Sequence, residues 1–349
     1  MSPGREPIYL RPILTEPGRP GDRVLASGSH GFREVEVLSR SDAPQILPVD
    51  AVAAMWPEAD GLLAHVTAPR PALPGLMADR PAIMGVLNVT PDSFSDGGLH
   101  DRAGRAVARG MEMVAEGADI IDIGGESTRP GAKPVPEAEE LSRVLSVVDG
   151  LRMAGCPVPI SIDTRNAAVA KAAIDAGAQI FNDVSALSHD PESVIVAGAA
   201  GAVCLMHAQG DPRTMHLNPS YENVLLDVYD HLAARIAAAE AAGIARQRLI
   251  IDPGIGFGKT LTHNVTLIRG LALFLTLGCP VLLGVSRKRF IGTLSGEETA
   301  ARRAPGSIAA GLAGLDQGAA ILRVHDVDET VQAVRVWQAI RNDNADNGA

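Results

Sequence analysis

Eight short apolar runs in this 349-residue chain each end in a polar or ionisable side chain. In order, the ends are Asn88, Asp122 with Glu126, Asp163, Asn182, His207, Asp252, Ser286 with Lys288, and Arg323 with His325. Any one of them alone reads as a cap or a turn-forming residue. Together they need another reason, because burying ionisable groups costs free energy unless a partner or a ligand compensates. Asp163 and Asp252 are carboxylates that suit a flat heterocycle offering amidine-like or guanidine-like N–H donors. Arg129, Lys288, Arg323 and His325 form a cationic set suited to phosphate. A site with both halves points to transfer chemistry on a phosphorylated heterocycle.

Two of the loops that follow these runs are long and polar. Asn88–Gly98 carries a lone aromatic, Phe94, and Gly124–Gly131 carries Arg129. Both read as loops that close over a ligand, since ordinary turns explain their Pro and Gly but not Phe94 or Arg129. Zinc-type spacings of His and Cys do not occur, and His207 at an apolar strand end reads as a structural histidine. A metal here would be of the hard-cation type, Mg²⁺ held mostly by diphosphate and water with Asn88 as an oxygen ligand.

The elements that must position these groups have a regular rhythm. From Pro81 onward the apolar runs begin at Ile83, Ile120, Val158, Gln179, Ala202, Leu249, Val281 and Ala320, and the segments between them have helical spacing, as in Val224, Val228, Leu232 and Ile236. Gly-Ala pairs at 117, 177, 201 and 318, and Gly-Cys-Pro-Val at 155 and 278, supply helix stops before the next strand. Eight strand–helix units in roughly 270 residues predict an α/β fold, a (β/α)8 TIM barrel with an N-terminal extension. A doubly wound open sheet is the alternative, disfavoured because no Gly-x-Gly-x-x-Gly follows the first strand. In a barrel these polar ends share the C-terminal rim, where function gathers. Residues 1–80 differ: proline-rich, with one alternating segment from Phe32, they read as an arm or small β-rich cap, with a linker at Thr67–Gly75. Residues 81–349 form the barrel.

Composition limits the partners. Apolar residues make up 46% and charged residues 21%, as in a globular domain. A net charge of −10 and few aromatics (6 Phe, 3 Tyr, 2 Trp) speak against nucleic acid and anionic membranes. The longest uncharged stretch, Leu271–Val285, is too short to span a bilayer. Three cysteines without a paired spacing fit a reduced, cytoplasmic setting.

Two segments, Leu87-Asn-Val-Thr-Pro-Asp-Ser-Phe-Ser-Asp-Gly-Gly and Asp122-Ile-Gly-Gly-Glu-Ser-Thr-Arg-Pro-Gly, resemble the two signatures of the dihydropteroate synthase family. Six later segments agree in order, starting at Ser161, Asn182, Met206, Asp252, Ser286 and Arg323. The resemblance covers residues 81 to 340 and leaves residues 1–80 outside. It implies condensation of 6-hydroxymethyl-7,8-dihydropterin diphosphate with p-aminobenzoate, Mg²⁺ as cofactor, small-molecule partners, a pocket where sulfonamides compete, and a homodimer that no helix here specifies. By matched motif, Asp163, Asn182, Met206, Asp252, Phe257 and Lys288 would hold the pterin. Asn88, Arg129, Arg323 and His325 would hold the diphosphate, Asn88 with its metal. Phe94, Thr128, Pro130, Phe257 and Ser286 would shape the aminobenzoate site. Asp92, Arg129, Asp163, Asp252 and Lys288 would carry the chemistry. A pterin-dependent methyltransferase would share the pterin contacts but has no use for the diphosphate cluster or the first loop. An inactive pterin-binding paralogue would have been free to lose both loops.

Overall fold

The computed structural model describes residues 6–18, 20–77, 80–89, 99–126, 135–210, 214–215 and 217–341. The first of these build β1 (Tyr9–Pro12), β2 (Arg23–Val24), β3 (Gly31–Phe32), β4 (Glu34–Leu38), β5 (Gln45–Pro48), α1 (Val49–Met55) and α2 (Ala59–Thr67). Strands β1, β4 and β5 form an antiparallel sheet with β4 central. In β4 the alternation Glu-Val-Glu-Val turns Val35 and Val37 inward, the period-two pattern of a half-buried strand. The alternating segment read from Phe32 is therefore two strands. Helices α1 and α2 were not expected.

The second part is the barrel. Its strands are β6 (Ala82–Asn88), β7 (Ile120–Gly124), β8 (Ile160–Asp163), β9 (Ile180–Asp183), β10 (Ala202–Met206), β11 (Leu249–Asp252), β12 (Leu282–Leu283) and β13 (Ile321–Val324). Between and after them run α3 (Leu99–Glu116), α4 (Glu137–Met153), α5 (Ala167–Asp175), α6 (Ser193–Ala197), α7 (Val224–Ala241), α8 (Leu261–Arg269), α9 (Arg289–Ser295), α10 (Ala304–Asp316) and α11 (Val327–Arg341). Parallel pairing runs in one eight-stranded order from β11 through β6 to β13 and β12. A parallel bridge between Ile251 and Val281 joins the two ends, so the sheet closes. No described helix is long and apolar enough to cross a membrane.

Alternation along the strands sorts the core. Ile83, Leu87, Ile121 and Ile123 pack outward under the helices. Met84, Ile120, Ile180, Cys204, Ile250, Leu282 and Ile321 fill the barrel interior, and Leu73 and Leu76 of the linker join that inner cluster. The linker turn thus plugs the N-terminal floor. At Gly75, where φ is +76°, a Cβ would lie 2.3 Å from the Ile120 side chain, so only glycine lets the turn approach. The glycines at the helix-to-strand joints, 117, 155, 177, 278 and 318, are left-handed as the joints require. Gly201 is not; there a Cβ would sit 3.0 Å from the Gln179 carbonyl, and close approach replaces conformation as the reason for glycine.

The extension is packed on the barrel rather than hung from it. Tyr9 donates to Asp230 at 2.9 Å and meets Tyr229 edge-on at 5.3 Å. Arg40 donates to Asp227 at 2.8 Å and to Asp230 at 2.7 Å, and His65 Nδ1 lies 2.9 Å from the Thr276 carbonyl. The uncharged stretch found in the sequence begins with a buried 3-10 turn, Leu271–Leu277, in the same apolar cluster as Leu10, Phe32, Val35 and Leu63. It carries no charge because it is interior.

Candidate active site

The C-terminal strand ends bring Asp122, Asp163, Asn182, Asp252 and Arg323 to one rim, as parallel closure requires. Arg323 Nε donates to Asp122 at 2.6 Å and its Nη2 to Asp163 at 2.6 Å. Asn182 Nδ2 reaches Asp122 at 3.3 Å, and Asp122 is fully buried. Around the axis, Asp252, Lys288 and Arg323 converge: a Cβ placed on Gly284 would lie 3.7 Å from Lys288 Nζ, 3.8 Å from Asp252 Oδ2 and 3.9 Å from Arg323 Cβ. Lys288 stands 4.7 Å over the Phe257 ring and donates to the Ile255 carbonyl. Met206 ends β10 beside this group and is buried.

Next to this group, Ser286 Oγ accepts from the His325 backbone N–H at 3.1 Å and lies 2.9 Å from His325 Nδ1. Asn88 Oδ1 and Asp163 face each other across Gly124, where a Cβ would meet them at 3.6 and 3.8 Å. Glycine keeps that gap open. Asp92, Phe94, Thr128, Arg129 and Pro130 lie outside the described residues.

Burial sets the electrostatics. It raises the Asp163 carboxyl to about 7, against the opposing pull of Arg323. The Asp252 carboxyl is raised for the same reason, with Lys288 opposing. Lys288 is lowered to about 8 by burial, with Asp252 resisting. Such groups are short of hydration and gain from any ligand that supplies N–H donors to the carboxylates and an acceptor to the ammonium.

Arg323, expected with the diphosphate contacts, has its guanidinium committed to Asp122 and Asp163, so the carboxylate and cationic halves of the rim interlock there. Asp122 was visible only as a strand end; its place at the centre of the network follows from pairing across 201 residues of chain. Lys259 was not among the expected site residues. It is buried, with Nζ 2.9 Å from His207 Nδ1, which makes His207 a partnered structural histidine. All three cysteines are free, and Cys204 and Cys279 are buried.

Lys288 reaches the centre because the chain reverses at Arg287, a non-glycine residue at φ +58°. That conformation is held by Arg287 N donating to Ser307 Oγ at 2.8 Å and Arg287 Nε donating to Asp326 at 3.0 Å. Arg287→Ala and Arg287→Gly both lose the ion pair, but only Ala keeps the backbone strain. Thermal denaturation should find the Gly variant more stable than the Ala variant by about 1 kcal/mol. Equal stabilities would show that the left-handed turn is not strained.

Residues 84–325 match the family model described as pterin binding enzyme. A dihydropteroate synthase of Neisseria meningitidis serogroup C is 49% identical over 266 residues, 75% of this chain and 93% of that protein. The structure of a Xanthomonas albilineans dihydropteroate synthase with 4-aminobenzoic acid superposes with a TM-score of 0.71 at 50% identity, covering 75% of this chain and 94% of that one. A structure from the same organism with 7,8-dihydropteroate gives a TM-score of 0.69 at 46% identity, covering 76% and 95%.

Proposed function

Because this chain belongs to the dihydropteroate synthase family, we infer that the rim of strand ends is the site of that reaction. The protein is a transferase that condenses 6-hydroxymethyl-7,8-dihydropterin diphosphate with p-aminobenzoate, giving 7,8-dihydropteroate and diphosphate. One observation supports the placement above all: the buried network of Asp122, Arg323, Asp163 and Asn182 beside the Asp252–Lys288 pair.

In this reading Asp252 and Asp163 accept N–H bonds from the pyrimidine side of the pterin, and Asn182 presents its amide to the same ring. Met206 and the Phe257 face bound the ring, and Lys288 donates to a ring acceptor. Arg323 holds Asp122 and Asp163 in register, and its positive charge faces the diphosphate approaching from the rim. His325, fixed by Ser286, reaches the diphosphate from β13. Phe94, Thr128, Pro130, Phe257 and Ser286 would complete the aminobenzoate side, with Asp92 and Arg129 in the segments that follow β6 and β7.

The bond between the pterin methylene and the diphosphate oxygen breaks, and a bond from the aniline nitrogen to that methylene forms. The electron deficiency of the methylene spreads into the ring held by the buried carboxylates, which stabilises it. Neutral aniline is already nucleophilic, so the proton it loses can go to water or to the departing diphosphate without a strong protein base.

Asn88 fits a Mg²⁺ site. It offers a neutral amide oxygen at the rim, and among the described residues no group of three or more His, Cys, Asp or Glu gathers to hold a metal. That donor set suits a hard cation carried chiefly by the substrate. When bound, Mg²⁺ neutralises charge on the leaving diphosphate.

The same reading takes residues 81–349 as the catalytic barrel and residues 1–80 as an extension outside the chemistry. It also places the protein in the cytoplasm, supported by three free cysteines, and allows a second copy of the chain as partner. Purified protein with both substrates and Mg²⁺ should release diphosphate only when p-aminobenzoate is present, and EDTA should reduce the rate to background. Diphosphate release independent of p-aminobenzoate, or no dihydropteroate from folded protein, would overturn the assignment.

A further inference from the structure

Behind the pterin contacts, the loops after β10 and β11 lie backbone on backbone. At Gly254 (φ +68°) a Cβ would fall 1.8 Å from the His207 carbonyl, and at Gly258 (φ +63°) 2.3 Å from the Gln209 carbonyl. No side chain can enter this seam from either glycine. One enters from Lys259. Its ammonium lies 2.9 Å from His207 Nδ1, donates to the Phe257 carbonyl at 3.0 Å and reaches the His207 carbonyl at 3.4 Å.

Those contacts continue to the site through a short chain of hydrogen bonds. Phe257 N donates to the Gly254 carbonyl at 3.1 Å, and Gly254 N donates to Asp252 Oδ1 at 2.7 Å. His207 N donates to the Asp252 carbonyl at 3.0 Å. Lys259 is therefore tied to both the residue whose ring supports Lys288 and the turn that orients the Asp252 carboxylate.

We propose that Lys259 is a positioning residue for the pterin half of the site: by pinning the loops after β10 and β11 together, it fixes the Asp252 carboxylate and the Phe257 ring. The proposal rests on the reading of this rim as pterin-binding. Lys259 does not face the centre itself, because its donors are spent on His207 and Phe257. Its surroundings agree. Burial pulls its ammonium down to about 7 and His207 down to about 2, so the histidine is neutral and accepts. The groups around the seam are His207, His231 edge-on to it at 4.8 Å, Tyr221, His263, Asp252 and Lys288. Among the described groups only Asp252 is acidic, and its charge favours the ammonium, opposing the pull of burial.

The test is Lys259→Met, which keeps the stem and removes the donors, together with Lys259→Gln, which keeps an amide donor for the Phe257 carbonyl. Each is titrated calorimetrically with 6-hydroxymethylpterin and assayed with the pterin diphosphate. Lys259→Met should weaken pterin affinity and raise the KM for the pterin diphosphate about tenfold, with kcat changed less than about threefold. Lys259→Gln should fall between Met and the natural chain, and it carries the test if the Met variant does not fold. A purely structural role would instead lower kcat with the folded fraction and leave KM and pterin affinity unchanged, and that result overturns the proposal. If the natural chain binds 6-hydroxymethylpterin but makes no product, the functional assignment fails while the affinity series still decides the role of Lys259. A natural chain that binds no pterin overturns both.

Discussion

Asp252→Asn should lower kcat/KM for the pterin diphosphate by about a thousandfold while leaving the fold intact. The carboxylate is buried and, among the described residues, receives one hydrogen bond, the 2.7 Å contact from Gly254 N. Its remaining capacity faces the centre of the barrel, beside Lys288 and Arg323. A carboxylate there can accept two N–H donors from one edge of a pterin. An amide accepts at one atom only and turns an NH2 group toward the second donor. A hydrogen bond to a charged group contributes about 1.5–3 kcal/mol, and an unmet buried donor costs about 1–3 kcal/mol more, so losing one bond and setting donor against donor in its place accounts for roughly three powers of ten. Stability should not follow. Burial already raises the Asp252 carboxyl, so the protein gains nothing structural from its charge. The cost falls on Lys288, whose ammonium, lowered to about 8, loses the nearby charge that resists the shift. Steady-state kinetics and a melting curve on the same preparation check both halves of the expectation. A kcat/KM within tenfold of the natural chain would remove Asp252 from the pterin site.

The strand ends were legible because a parallel barrel makes position in sequence equivalent to position in space. An apolar run bounded by a helix stop and a polar residue is a strand whose last side chains lie near the rim; β6, β8 and β11 end on the expected Asn88, Asp163 and Asp252, and the other strands end within three residues of theirs. What the pattern could not show is how the rim groups pair with each other. Arg323 read as one of a cationic set; its partners Asp122 and Asp163 are 201 and 160 residues away. Lys259 was hidden for a similar reason, since its partner His207 is 52 residues earlier and only the closed barrel sets their loops side by side. The two helices of the extension failed locally. Neither α1 nor α2 has a side-chain cap, and α1 starts directly after Pro48, so the usual start signals are missing and proline dominates the reading. Tertiary contact with the barrel, which sequence patterns do not contain, stabilises them instead.

That contact leads to the second large effect. Deleting residues 1–77 should lower the melting temperature by more than about 10 °C, yet leave kcat/KM within about threefold at temperatures where the truncated chain stays folded. Three losses add. The plug residue Leu73 leaves the barrel floor, and removing a buried leucine side chain costs about 2–5 kcal/mol in cores of this kind. The 3-10 turn Leu271–Leu277 loses the cover of β1 and α2 and turns apolar side chains to water. Asp227 and Asp230 lose Arg40, and Asp230 also loses Tyr9, a smaller term because those ion pairs are partly exposed. At roughly 2–4 °C per kcal/mol for a chain of this size, the first two losses alone reach the stated shift. Catalysis should survive because the hydrogen bonds among the described rim residues, from Asp122 to His325, involve no residue of the extension. The extension covers the floor and flank of the barrel, while the proposed site lies on the rim of strand ends. Circular dichroism melting and kinetics at low temperature separate the two outcomes. An unchanged melting temperature would mean the floor is sealed without Leu73. A truncated protein that melts cooperatively but has no turnover would mean that packing at the floor reaches the rim through the strands, and the extension would then belong to the active site after all.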